Sequence, residues 1–151
     1  LFPDIQSDHN YVDAQALDLI RRPWEFDVLV MENMFADILS DLGGGLVGGM
    51  GMAPCAEIGL NHELFQPAHG SAPDIMGKDL ANPTAMFLSA AMMLEWLGQK
   101  YQHESLLNAA RLLESKIEEG FRFKRTQPKE FGGPHGCSEH TRNLLEILKD
   151  L

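Results

Sequence analysis

The chain has 151 residues, with 12 Lys and Arg against 22 Asp and Glu for a formal net charge of −10, and 44% of its residues are apolar. That is one ordinary domain's worth of chain, which excludes disordered and fibrous classes. The acidic balance opposes binding to a phosphate backbone, so nucleic acid is not an expected partner. Cys55 and Cys137 stand far apart with no Cys-x-x-Cys spacing, so neither a disulfide framework nor a zinc site is indicated and a reducing cytoplasm is expected. No apolar run approaches the roughly 20 residues that span a bilayer, and no membrane partner is expected. The sequence opens Leu1-Phe2-Pro3 without a basic-then-apolar leader or a methionine, so it reads as a piece of a longer product.

In chain order, Tyr11 to Arg21 places Val12, Ala16, Leu19 and Ile20 at helical spacing, with Asn10 positioned to cap it and Pro23 to close it. Phe26 to Met31 is short, apolar and partly β-branched and reads as a buried strand, interrupted by Glu32-Asn33. A second helix begins near Met34, where Ile38, Leu42 and Leu46 recur beside Phe35 and Leu39, and it ends in glycines. Residues 52–82 are rich in Gly, Pro, Asn and Asp and read as irregular, with brief strands at Glu57-Ile58 and Leu64-Phe65-Gln66. Asn82-Pro83 sets up a buried helix carrying Met86, Leu88, Ala90, Met93, Leu94 and Leu97, which Gly98 should stop. The next helix runs from Glu104 to Glu119, with Leu106, Leu107, Ala110, Leu113 and Ile117 inward and Gly120 just past its end. A last helix starts near Ser138. There is no internal repeat.

Three segments carry chemistry. Asp37 and Asp41 lie one helical turn apart, where like charges repel by a few tenths of a kcal/mol. A hard divalent cation such as magnesium or manganese would relieve that repulsion, because it takes one or two carboxylates plus water and substrate oxygens; a merely solvated helix face is the plainer reading of the spacing alone. Gly43-x-Gly45-x-x-Gly48 matches a dinucleotide fingerprint in letters only, since a helix precedes it where a strand is needed. These glycines read instead as sites of close backbone packing. His69-Gly70-Ser71-Ala72-Pro73-Asp74-Ile75, followed by Gly77-Lys78 and Asn82, combines a tight turn, a flat ring and a carboxylate. Such parts suit the adenosine half of NAD, whose ribose hydroxyls a carboxylate accepts and whose 2′-phosphorylated analogue it repels, although this composition more often makes only a surface loop. His135 with His140, and His62 with His69, lack zinc-site spacing and read as solvated loop residues. Met92-Met93 and the other methionines read as core packing.

Together these segments resemble the NAD-dependent β-decarboxylating dehydrogenases, the isocitrate and isopropylmalate dehydrogenase family. The resemblance is carried by Tyr11-Val12-Asp13-Ala14, Phe26 to Val30, Asn33 to Asp41, His69 to Ile75, Gly77 to Thr84 and Phe131-Gly132-Gly133, in order along essentially the whole chain. It implies an α/β, isopropylmalate dehydrogenase-like fold, its C-terminal portion, with helices packed on a mixed sheet and no Rossmann domain. Residues 1–50 would belong to the dimer-forming, metal and substrate domain and 51–151 to the NAD-binding domain.

The same resemblance assigns Asp37 and Asp41 to a magnesium or manganese ion, joined by Asp13 from the other subunit of a homodimer with shared active sites. It gives the cofactor loop, His69, Gly70, Ser71, Ala72, Pro73, Asp74, Ile75 and Asn82, to NAD: Asp74 on the adenosine ribose, His69 and Asn82 at the adenine, Ile75 lining the pocket. The implied reaction oxidises a small 2-hydroxy acid, with 3-isopropylmalate favoured and isocitrate, homoisocitrate, tartrate or D-malate as alternatives, and then decarboxylates it. The family's substrate arginines and its catalytic lysine and tyrosine fall upstream of Leu1, so no catalytic residue is assigned in this chain, which is expected to be inactive alone. A silent interaction subunit is the rival reading. One departure stands out: many relatives have Phe-Glu-Pro where this chain has Phe65-Gln66-Pro67.

Overall fold

Helix α1, Val12–Arg21, ends on a charged knot. Arg22 reaches back to Asp18 and forward to Glu25, each at 2.8 Å, and the Arg22 hydrogen bond holds the Asp18 carboxyl below its usual range. The N-cap position belongs to Tyr11 rather than to Asn10. Asn10 accepts the Tyr11 N–H at 3.0 Å and turns its amide toward Gln15 and Asp18. The structure, a computed structural model, describes residues 2–149. It divides into two units, one ending at Leu46 and one beginning at Val47.

In the first unit α1 packs against α2, Asn33–Leu46, which runs on through Gly43 and Gly45. The buried residues of α2 are Leu39 and Gly44, while Ile38 and Leu46 of the expected inward stripe are exposed. The expected strand at Phe26 to Met31 does not form. Val28 and Val30 are 81% and 94% exposed, because a strand exists only against a neighbouring ladder and no described residue of this unit supplies one.

The second unit is built on a hairpin. Strands β1, Pro54–Ile58, and β2, Glu63–Pro67, pair antiparallel from Pro54 opposite Pro67 to Ile58 opposite Glu63, and form the sheet among the described residues. Helix α3, Thr84–Lys100, lies over both strands, with Phe65 and Trp96 6.1 Å apart between centroids and Lys100 bonded to Glu63 at 2.8 Å. Its other flank receives α4, Glu104–Arg122, and α4 in turn packs on α5, Cys137–Ile147. Among the described residues the chain is thus an α/β arrangement of five α-helices with a small sheet.

The inward side of α3 is made of small residues, Thr84, Ala85, Ser89, Ala91 and Gly98, which let α4 come close. Thr84, Ala91 and Gly98 recur every seven residues and so share one face. The long side chains are displaced outward, so Met86 and Met93 are exposed rather than core. Nor does Gly98 stop the helix. It sits inside it because a Cβ there would stand 2.7 Å from the Leu107 side chain and 3.0 Å from the Leu107 nitrogen. Gly120 likewise lies within α4, pressed against Thr126, with its carbonyl accepting the N–H groups of Arg125 and Thr126.

Glycine at 98 and at 43 should therefore respond oppositely to alanine. Gly98→Ala forces α4 away and should cost about 1–3 kcal/mol, whereas Gly43→Ala meets nothing within 4 Å and should gain about 0.5–1 kcal/mol from reduced chain entropy. Urea unfolding of the two variants checks both signs.

Candidate functional site

The segment from Ala68 to Pro83 forms an exposed loop whose two limbs differ in how they are held. The first limb, His69 to Asp74, is exposed throughout, and His69 Nδ1 lies 2.8 Å from the Gly70 carbonyl oxygen. Ala72 adopts a left-handed conformation, φ 44°, which bends the chain into the short 3₁₀ turn Pro73–Ile75 and leaves the Asp74 carboxylate at the surface. Ile75 is half-buried beneath it.

The second limb is pinned at two points. Asp79, itself left-handed at φ 54°, accepts the backbone N–H of Ser138 at 2.8 Å and its hydroxyl at 2.9 Å, so it caps the first turn of α5 from a distant part of the chain. These bonds hold its carboxyl below the usual range. Gly136 lies so near Asp79 that a Cβ there would overlap the carboxylate. Three residues on, Asn82 is 6% exposed and its carboxamide is fully engaged. Its Nδ2 donates to Glu130 Oε2 at 2.9 Å and reaches Met52 Sδ at 3.5 Å, while its Oδ1 accepts the Thr84 N–H at 3.1 Å and the Thr84 hydroxyl at 2.7 Å.

Asn82 therefore does what a cap does for α3, although the helix begins one residue later than expected. A side-chain contact from Asn82 to an adenine is not open, because both ends of its amide are taken inside the protein. What it can offer a ligand is main chain. The close packing expected of Gly43, Gly45 and Gly48 is not found there, since a Cβ at 43 or 45 meets nothing within 4 Å, but it occurs just beyond them around Glu130: Gly49 has φ 117° and its Cβ would stand 2.7 Å from Glu130 Oε1, and at Gly51 a Cβ would overlap Glu130 Oε2 and come within 2.7 Å of Asn82 Cβ. Neither Glu130 nor Asp79 emerged from the sequence. Glu130 and Asn82 are 48 positions apart, beyond the reach of any periodicity.

The acidic pair sits in the other unit. Asp37 and Asp41 are both exposed on α2, and the one bond near them is the Ser40 hydroxyl donating to the Asp37 carbonyl oxygen at 3.1 Å. Asp13, in the first turn of α1, is exposed and accepts the Ala14 N–H at 2.9 Å. Among the described residues no three His, Cys, Asp or Glu side chains gather into a metal-holding group. Two open carboxylates one turn apart still fit a magnesium-like ion, which keeps most of its shell for water and substrate oxygens. At the hairpin, Gln66 donates to Glu57 Oε1 at 3.0 Å. A glutamate at 66 would place two carboxylates together, so the amide suits this neighbour and Glu57 keeps a carboxylate on that face.

The first unit thus carries an open acidic pair on a helix, and the second an exposed loop that leads into a helix without a Rossmann turn. The match to the isocitrate/isopropylmalate dehydrogenase family model extends over residues 1–139, and the chain belongs to that family. It is 44% identical over 147 residues to a probable isocitrate dehydrogenase [NAD] subunit alpha, mitochondrial, of Drosophila melanogaster, covering 97% of this chain and 37% of that protein. It is also 44% identical over 150 residues to the isocitrate/homoisocitrate dehydrogenase of Thermus thermophilus, covering 99% of this chain and 42% of that one. Among solved structures, isocitrate dehydrogenase from Methylococcus capsulatus superposes with a TM-score of 0.86 at 40% identity, over 98% of this chain and 42% of that one. The chain thus spans roughly two-fifths of the length of these relatives.

The histidines need a correction. His140 is not a solvated loop residue but a side chain of α5 that is 1% exposed, stacked on Phe87 and met edge-on by Phe121. His135 is half-buried and accepts the Gln127 N–H at 2.8 Å. Because the Thr84 hydroxyl proton points to Asn82, the Thr84 oxygen is left to accept from His140 Nε2, a long contact of 3.4 Å. That leaves His140 Nδ1 buried without a partner. Burial, and then His135, push the His140 pKa down from 6.5 to about 4.

A histidine held neutral in the folded state destabilises the fold once the unfolded chain takes up the proton. Stability should be full above pH 6.5 and fall as pH drops from 6.5 toward 4, by on the order of 3 kcal/mol in all. Thermal melts between pH 7.5 and 4.5 check this. His140→Leu should flatten the decline relative to the parent, whatever it does to the midpoint at neutral pH.

Proposed function

We propose that this chain is the C-terminal portion of an enzyme that oxidises a 2-hydroxy acid at C2, passes the hydride to NAD and releases the neighbouring carboxylate as carbon dioxide. The relatives' names favour isocitrate or homoisocitrate over 3-isopropylmalate as the substrate.

The observation that carries the NAD reading is the exposed Asp74 beyond the left-handed bend at Ala72. Its carboxylate lies within ion-pair distance of no cation among the described residues, so it is open to accept two ribose hydroxyls. The same charge repels a 2′-phosphate. Exposed His69 offers a ring face for the adenine, and Ile75 offers an apolar floor. Asp37 and Asp41 would hold magnesium or manganese, with Asp13 contributed by a second copy in a homodimer. When bound there, the metal supplies positive charge where negative charge grows on the substrate oxygens. The chain's own residues do the holding and orienting. We assign no group within it to take the hydroxyl proton or to return one to carbon, which the chemistry needs, so the chain alone should not turn over. Free Cys55 and Cys137 support a reducing compartment, the cytoplasm in our reading.

The test uses the full-length enzyme. kcat/KM should favour NAD over NADP by at least about a hundredfold, and Asp74→Ala should shrink that ratio mainly by weakening NAD. Asp37→Asn or Asp41→Asn should raise the magnesium or manganese needed for half-maximal rate and lower kcat. Preference for NADP removes the cofactor assignment, and unchanged metal dependence returns the acidic pair to a solvated helix face.

A further inference from the structure

Resting on the NAD reading of the loop, we propose that Glu130 is a positioning residue for the adenosine half of the dinucleotide, acting through Asn82 without touching the ligand itself. Three observations converge on it. Its carboxylate accepts the amide of Asn82 at 2.9 Å from 48 positions away. Asn82 closes the loop and has no freedom to turn, because its other end already accepts both the N–H and the hydroxyl of Thr84. The backbone beside the carboxylate is glycine at 49 and 51, the two positions where a Cβ would meet the Glu130 oxygens, and at 51 it would press on Asn82 as well.

An amide with one face on a carboxylate and the other on a helix start has one orientation. Reversing it would aim Oδ1 at a carboxylate and Nδ2 at an N–H. Glu130 thereby fixes both the rotamer of Asn82 and the height of its main chain at the end of the loop. Met52 Sδ, 3.5 Å from the same nitrogen, is a weak acceptor and does not replace it. A ligand read partly by main chain at this position meets a preformed edge and escapes the cost of ordering it on binding. Without Glu130, that cost falls on the ligand.

The experiment measures binding as well as turnover, in the full-length enzyme, with ADP-ribose as a probe that carries the adenosine half and no nicotinamide. Glu130→Ala should weaken ADP-ribose binding by calorimetry about tenfold and raise KM for NAD similarly, with kcat and the KM of the hydroxy acid changed less than about twofold. Glu130→Gln keeps an oxygen acceptor for the Asn82 amide and should restore binding to within about twofold of the parent. Hydrogen exchange in Glu130→Ala should quicken across residues 79–84 and stay unchanged in the β1–β2 hairpin. Equal ADP-ribose affinity in parent and Glu130→Ala overturns the proposal while leaving the NAD reading intact. So does a loss in which kcat and both KM values move together with the melting temperature, as a structural defect would produce. A parent enzyme that does not bind ADP-ribose at all overturns the NAD reading of the loop, and this inference falls with it.

Discussion

The unit beginning at Val47 is tied together by the carboxamide of Asn82. Burying an unpaired amide costs on the order of 1–3 kcal/mol, so a nearly inaccessible asparagine must find partners at both ends. It finds them on three different parts of the chain: the carboxylate of Glu130 beyond α4, the first residue of α3, and through the Thr84 hydroxyl the imidazole of α5. Every proton in this series points toward the carboxylate. His140 donates to Thr84, Thr84 to Asn82, and Asn82 to Glu130. The one negative charge, on the exposed Glu130, stands at the accepting end of the series.

That series also explains why the loop is stiff at one end and open at the other. From Asp79 to Thr84 it is fastened to α5 and to Glu130, two elements that are themselves packed on α4 or braced by glycine. From His69 to Asp74 it makes almost no contact beyond its own neighbours. Binding loops belong at the low-stability end of a structure, yet a ligand needs one fixed edge. In our reading of the loop as a binding loop, that edge is the one held by residues 127–140, a stretch far away in sequence whose own turns are closed by the His135–Gln127 and Gly133–Pro128 backbone bonds.

What was legible in the sequence was whatever depends on short spacing. The helices at Val12, Asn33, Thr84, Glu104 and Cys137 follow from apolar residues three and four apart, and the acidic pair follows from the same periodicity. The hairpin was visible only as two fragments, since Pro54 and Pro67 at its base read as breakers although they sit where an edge pair tolerates them. Gly98 and Gly120 were misread as stops because glycine has two uses, freedom of conformation and absence of volume, and only the facing helix reveals the second. His140 was misread for a related reason: its burial depends on Phe87, Phe121 and Thr84, each far from it in sequence. Family motifs did reach the loop as a unit. They gave Asn82 to the ligand, and the structure shows its side chain facing inward.

The two units leave different groups unsatisfied. In the second, two buried polar side-chain atoms among the described residues lack a partner, Thr126 Oγ1 and His140 Nδ1, and the latter has a definite acid-side cost. In the first, the salient features are all open-handed. Two carboxylates face solvent one turn apart, an apolar segment at Val28 and Val30 has no ladder, and Ile38 and Leu46 lie exposed on the helix that carries the acidic pair. Each of these is mildly unfavourable, and in our reading each would be relieved by something that binds: a cation between the carboxylates, a strand beside Phe26 to Met31, an apolar surface over α2. By mass action, whatever binds the folded form and not the unfolded one stabilises it in proportion to RT ln(1 + [L]/Kd). In our reading the same relation holds for a dinucleotide at the loop of the second unit, so the stability of each unit is coupled to what it binds.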